Sequence, residues 1–288
     1  MFSDTHFHFH YLVDERALDG REILLKLLER GTFFAMDIGT LSGDLEPRFS
    51  GMEKVIGSLT DEDKARAEKM IHYSAGIWPD VDSIKNRNAE IENLKKQIKS
   101  FPKKERLAAI GECGLDHHWN PAGADGRREE DFDKAVYEGE RELFEMQIEL
   151  SEEMNLPVVV HSRDAFEETL DVIKNMDASN GIIHCFSYDK NAARAFLDRG
   201  FYIAFGGAVT YTKKSRLDEM KEILRFVPDD RILLETDSPY LAPVPFRGKT
   251  NTPVLIEYVY NFISEARGVT AEQLSLIVDG NIKRLFRL

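Results

Sequence analysis

PVVVHSRDAFEETLDVIKNMDASNGIIHCFSYDKNAARAFLDRGFYIAF, residues 157–205, alternates two patterns. Short apolar runs open at Pro157, Gly181 and Phe201 and read as strands 157–161, 181–185 and 201–205. Between them lie charged, amphipathic stretches, 165–175 and 189–199, that read as helices. Strands separated by helices pair in parallel through right-handed crossovers.

The same alternation extends both ways. Towards the N-terminus come an apolar first strand at Met1 and Phe2 and a helix over 16–30, with Leu18, Ile23, Leu24, Leu27 and Leu28 on one stripe and Gly31 as its stop. A strand over 32–38 follows, then a mixed signal over 43–69 with a helix at 60–70. Beyond it lie a strand at 71–77, a charged helix at 81–100 and a strand at 107–112 that turns at Gly111 and Gly114. Residues 117–126 lack any apolar period and read as a loop before a long helix, 129–154. Towards the C-terminus the pattern gives a helix at 214–226, a strand at 231–235, and helices at 253–267 and 271–286. Eight such units predict a closed (β/α)8 barrel of the TIM type, built as one domain over residues 1–288. A doubly wound open sheet is disfavoured, because no Gly-rich phosphate fingerprint follows the first strand.

Composition narrows the function. The chain has 288 residues, 42% hydrophobic and 31% charged, as an ordinary globular enzyme would. A net charge of −13 excludes a broad polyanion-binding surface, so any nucleic-acid contact must be local or metal-mediated. Two cysteines, Cys113 and Cys185, are too few for a disulfide framework or a structural zinc site, and each is expected to be a small buried apolar residue. With no signal-like N-terminus and no apolar run approaching ~18 residues, the expected location is the cytoplasm.

Metal-capable residues recur at the C-terminal ends of the predicted strands. His6 and His8 follow the first, in Asp4-Thr5-His6-Phe7-His8, where i and i+2 share one face of a strand. Glu112 follows the fourth, His161 the fifth, His184 the sixth and Asp237 the eighth. In a barrel these ends converge on one face, where the active site forms.

These residues also carry a resemblance. Ile110-Gly111-Glu112-Cys113-Gly114-Leu115-Asp116, Val160-His161-Ser162-Arg163-Asp164-Ala165, Ile183-His184-Cys185-Phe186-Ser187 and Leu234-Glu235-Thr236-Asp237-Ser238-Pro239-Tyr240 join the N-terminal His-x-His. Together with Arg247-Gly248-Lys249-x-Asn251 they resemble, in order, the signature segments of TatD-type metal-dependent deoxyribonucleases. The resemblance runs from residue 4 to 286. It implies a two-metal hydrolase barrel whose ligands are His6, His8, Glu112, His161, His184 and Asp237, and it implies 3′ to 5′ exonuclease action on DNA. The chain departs from the family at Trp78, where a histidine is usual, at His10, where an Asp is common, and at His117-His118, where aromatics are common.

The chemistry expected of these groups follows from their types. Glu112 has two oxygens and can bridge two ions about 3.5–4 Å apart. His6, His8 and Asp237 would hold one ion, His161 and His184 the other. Asp237 is the candidate general base towards a metal-activated water. Arg163, Arg247 and Lys249 are candidate phosphate contacts, and Trp78 a stacking surface for an unpaired base. Glu235 is a candidate orienter of a ligating imidazole. The imidazole-rich set suits Zn, Mn or Co, whereas Mg prefers more oxygen ligands. The same site would also serve an ester, such as the aminoacyl bond cleaved by a D-aminoacyl-tRNA deacylase. A non-catalytic interaction scaffold is the third reading, and the intact set of six ligands speaks against it.

Overall fold

The computed structural model describes residues 2–123 and 126–288; Met1, and Ala124 and Asp125 of the expected 117–126 loop, lie outside the described residues. Eight parallel strands follow one another in chain order around a single sheet: β1 (Asp4–Phe7), β2 (Ala35–Asp37), β3 (Ile71–Ala75), β4 (Leu107–Asp116), β5 (Val158–Arg163), β6 (Gly181–Ile183), β7 (Tyr202–Phe205) and β8 (Ile232–Leu234). The ends of the sheet meet just past β8. Asp237 N donates to the His6 carbonyl and His8 N to the Ser238 carbonyl, both at 2.8 Å. The buried Asp4 carboxylate ties the seam from the other side, accepting from Thr236 N at 3.0 Å and Thr236 Oγ1 at 2.6 Å. The result is the expected TIM-type barrel.

The outer layer comprises α1 (Gly20–Arg30), α2 (Leu45–Ile56), α3 (Asp61–Met70), α4 (Val81–Lys85), α5 (Arg87–Ser100), α6 (Lys134–Met154), α7 (Phe166–Asn175), α8 (Lys190–Asp198), α9 (Leu217–Phe226), α10 (Ile256–Arg267) and α11 (Ala271–Phe286). Their limits follow local chemistry. Asp19 caps α1 by accepting from Arg21 N and Glu22 N, and Gly31 ends it at φ 73, a conformation open to glycine without cost. Thr270 and Gln273 form a reciprocal capping box on α11. Two contiguous apolar groups pack this layer onto the sheet. One spans the β5–β8 side and the other the β1–β3 side, and both reach β4 and α6. Among the described residues no helix is long and apolar enough to cross a membrane.

Three expectations need correction. The mixed signal before residue 60 hides α2, whose Pro47 and Gly51 blur the period. Pro47 falls in the first turn, where its missing N–H has no intrahelical acceptor to lose. The 81–100 helix is two helices that meet at Asn86, the C-cap of α4 and N-cap of α5. Most relevant to the site, β4 does not turn at Gly111 and Gly114 but runs on to Asp116, buried throughout. These glycines let β4 lie hard against β5: a Cβ on Gly114 would stand 1.9 Å from the His161 carbonyl oxygen, and one on Gly111 2.6 Å from that of Val159. Positive φ values of 131° and 146° complete the requirement for glycine.

Candidate metal centre

The six residues singled out from strand ends come together on the C-terminal face. His6 lies in β1 and His8 just beyond it, Glu112 within β4, His161 within β5, His184 directly after β6, and Asp237 three residues past β8. Glu112 and His161 therefore sit inside their strands, not past them. Glu112 is the hub. Its Oε2 is 3.3 Å from His6 Nε2 and 3.8 Å from His8 Nε2. Its Oε1 is 2.8 Å from His161 Nδ1 and 3.1 Å from His184 Nε2. Asp237 Oδ1 stands 3.6 Å from both His6 Nε2 and His8 Nε2, so it joins the first group. Asp237 adopts φ 53, a left-handed conformation uncommon for a residue with a Cβ.

Charge in the cluster is strongly coupled. Burial alone would favour the neutral acid at Glu112, but the His184, His161 and His6 imidazoles hold it well below the usual carboxylate range. Burial likewise acts against a charged His184, yet the Glu112 and Glu235 carboxylates hold it well above the ordinary imidazole value. His8 and His161 are raised for the same kind of reason, by Asp237 and Glu112 at His8 and by Asp116 and Glu112 at His161, against their own burial. His6 is lowered, chiefly by burial and then by the neighbouring His184. Its ring lies 4.1 Å from that of His184, nearly parallel.

The outer nitrogens of three rings face an oxygen, within hydrogen-bond reach at His8 and His161 and only as a longer contact at His184. His8 Nδ1 is 3.3 Å from the Ile38 carbonyl, His161 Nε2 is 2.9 Å from Asp116 Oδ2, and His184 Nδ1 is 3.5 Å from Glu235 Oε1. Carboxylate or carbonyl groups behind imidazoles fix the tautomer and turn the inner nitrogen towards a ligand. Glu235 therefore stands where an orienter of His184 should. Asp116 is a residue the sequence reading did not assign; its signal was only its place at the end of the Glu112 motif. It is held in turn by a buried network: Glu140 Oε1 accepts from Asp116 N at 3.1 Å and from Arg127 Nη2 at 3.1 Å, while Arg127 also donates to the Asp116 and Pro79 carbonyls.

The remaining candidates spread around the mouth. Trp78 is half-buried, edge-on to His161 with ring centroids 5.9 Å apart, and the Arg127 guanidinium lies over its ring at 5.2 Å. Arg163 ends β5. Burial and the Asp237, Glu235 and Glu112 carboxylates push the Cys185 thiol well up, and Arg163 is near enough to offset part of that rise. Arg247 and Lys249 are exposed on the loop after β8, their cations over Tyr211 at 4.6 Å and Phe246 at 5.8 Å, not against the six residues. Cys113 is buried as expected; Cys185 is only partly buried, at φ 46 beside the cluster.

Does this arrangement suit metal ions? Both nitrogens of His6 and Nδ1 of His184 are buried without a hydrogen-bond partner. Groups of that kind are costly unless something else satisfies them. His6, His8 and Glu112 form one cluster of convergent donor atoms; Glu112, His161 and His184 form another; His6, His184 and Glu235 form a third, deeper one. Imidazole nitrogen with carboxylate oxygen is the donor mix of divalent transition-metal sites. The residues fit such ions.

The wider comparisons agree. A family model described as TatD related DNase matches residues 3–287. The chain is 37% identical over 230 residues to the uncharacterized metal-dependent hydrolase YabD of Bacillus subtilis (77% of this chain, 82% of the relative). It is 31% identical over 289 residues to the uncharacterized metal-dependent hydrolase YcfH of Escherichia coli (99% and 95%). It is also 31% identical over 197 residues to the 3′-5′ ssDNA/RNA exonuclease TatD of Pantoea vagans (66% and 70%). In fold, it superposes on the crystal structure of YJJV, a TatD homolog from Escherichia coli, with a TM-score of 0.77 at 23% identity, over 100% of this chain and 98% of that one. With its barrel and its clustered donors in view, the chain belongs to the TatD-related DNase family of metal-dependent hydrolases.

Proposed function

We propose that this protein hydrolyses phosphodiester bonds of DNA from the 3′ end of an unpaired strand, using two divalent ions. The observation that carries the reading is Glu112, whose two oxygens face two separate groups of donors. His6, His8, Asp237 and Glu112 Oε2 would hold one ion; His161, His184 and Glu112 Oε1 the other. When bound, such ions supply Lewis acidity at phosphorus and lower the pKa of water. The exonuclease named in Pantoea vagans supports the substrate class.

The chain's own groups then have distinct tasks. Asp237, held below the usual carboxylate range by His8, His6 and His184 despite its burial, is ionised and accepts the proton of the attacking water. Asp116 and Glu235 keep the His161 and His184 rings turned inward. Arg163, with Arg247 and Lys249 further out, neutralises phosphate charge. Trp78 offers the part of its ring not covered by Arg127 to an unpaired base.

The test is metal content together with activity on a 3′-labelled single strand, run beside an aminoacyl-tRNA ester. Two ions per chain and stepwise release from the 3′ end are expected, with Glu112→Ala losing metal and activity together. Cleavage of the ester in preference to the strand, or unchanged metal content in Glu112→Ala, would refute the reading.

A further inference from the structure

His118 and Asp164 form a pair that the proposed metal chemistry leaves unused. His118 Nδ1 lies 2.7 Å from Asp164 Oδ2. One residue follows β4 and the other follows β5, so the pair stands on the same face as the metal-capable cluster. Both side chains are well exposed, at 37% and 64%, and an ion pair in that setting adds little to the fold. Its position is nonetheless fixed. His118 N donates to Asp116 Oδ1 at 2.9 Å, and the other oxygen of Asp116 meets His161. The preceding His117 N donates to the carbonyl of Arg163 at 2.8 Å. The imidazole is thus anchored between the carboxylate that backs His161 and the strand end that carries Arg163.

A phosphodiester releases an alkoxide, which leaves poorly unless it gains a proton. The central cluster is badly placed to give one. Its imidazoles face Glu112 and Asp237 at 2.8–3.8 Å, and these same groups would be taken up in holding the ions. Imidazole is the side chain suited to giving and taking protons near neutral pH, and a carboxylate on one ring nitrogen orients the ring. In His118 that bond occupies Nδ1 and leaves Nε2 to meet a substrate.

We propose that His118, held by Asp164, is the general acid that protonates the leaving oxygen. This assignment rests on the phosphodiesterase reading above. The water oxygen bonds to phosphorus as the bond from phosphorus to O3′ breaks. The water's proton passes to Asp237. The electron pair of the broken bond stays on O3′, which takes the proton from His118 Nε2. Asp237 then loses a proton to solvent and His118 regains one, which restores both.

The test compares two substrates that share the transferred nucleotide and differ in the leaving group: short oligothymidylate and thymidine 5′-(4-nitrophenyl phosphate). The 4-nitrophenolate departs without a proton, so only the oligonucleotide needs the acid. In the metal-loaded protein, His118→Ala should lower kcat/KM on the oligonucleotide about 100-fold more than on the aryl ester. Asp164→Asn should shift the same ratio in the same direction by less. Equal losses on both substrates, or none on the oligonucleotide, would overturn the assignment of His118. If the wild-type protein cleaves neither, the phosphodiesterase reading itself falls, and the acid with it.

Discussion

Asp116→Asn isolates one ring of the proposed metal site without touching a ligand. In the native protein Asp116 Oδ2 stands 2.9 Å from His161 Nε2, and Oδ1 accepts from His118 N. A carboxylate has no proton, so the shared hydrogen belongs to His161 Nε2, which leaves Nδ1, 2.8 Å from Glu112 Oε1, as the nitrogen that would give up its proton to a metal. Asparagine keeps one oxygen for His118 N but turns an NH2 group towards Nε2. The ring must then accept there, which moves its proton to Nδ1, the atom that would ligate. A protonated nitrogen cannot bind a metal. Losing such a partner typically costs 10–100-fold in metal affinity, about 1.4–2.8 kcal/mol. Calorimetric titration of the metal-free protein with Zn2+ or Mn2+ should resolve two classes of site in the wild type. One class should weaken by that factor in Asp116→Asn, while the class built on His6, His8 and Asp237 keeps its affinity. Two unaltered classes, or an equal loss in both, would refute the tautomer argument.

Asp237→Asn keeps one oxygen but loses basicity, so turnover should collapse while single-strand binding persists in a filter or anisotropy assay; wild-type turnover refutes the role. Because protons on the raised His8, His161 and His184 compete with metal, affinity should fall as pH drops from about 8 to about 6, and a flat profile refutes this. His72 is buried against Phe34 and burial lowers it to about 4, so its contribution is complete above 6.5 and lost as pH falls towards 4. That gap is worth about 3 kcal/mol, and His72→Gln should lose this share of acid sensitivity in urea midpoints, with parallel profiles as the refuting result. With a net charge of −13 and few phosphate contacts, the salt slope for single strands should be only about −1 to −2, and Trp78→Ala should cost about 1–3 kcal/mol of affinity; a steep slope or undiminished affinity refutes the respective part.

Much of the barrel was legible because each buried strand is a short apolar run between amphipathic helices, a contrast that survives without knowledge of contacts. The donors were legible for a related reason: barrel topology alone decides that residues at successive strand ends share a face. What escaped was whatever depends on close approach. Gly111 and Gly114 look like a turn until β5 is seen packed on them. Arg127, Glu140 and Asp116 meet across a loop with no periodicity, and His118 meets Asp164 from 46 residues away. Arg48 carries no apolar signal either, yet it lies buried in a helix the sequence concealed, paired with Asp37 at 2.7 Å.

The seam between β1 and β8 also sets an order of assembly. His161 and His184 are 23 residues apart, one in β5 and the other directly after the neighbouring β6, so their half of the donor cluster forms from contacts close in the chain. The other half needs Asp237 delivered beside His6, across a seam whose Asp4–Thr236 bond spans 232 residues. Contacts so distant form late, because the intervening loop must first be ordered. A chain leaving the ribosome exposes His161 and His184 before Asp237, so the proposed base can join the cluster only once the segment after β8 has emerged to close the seam.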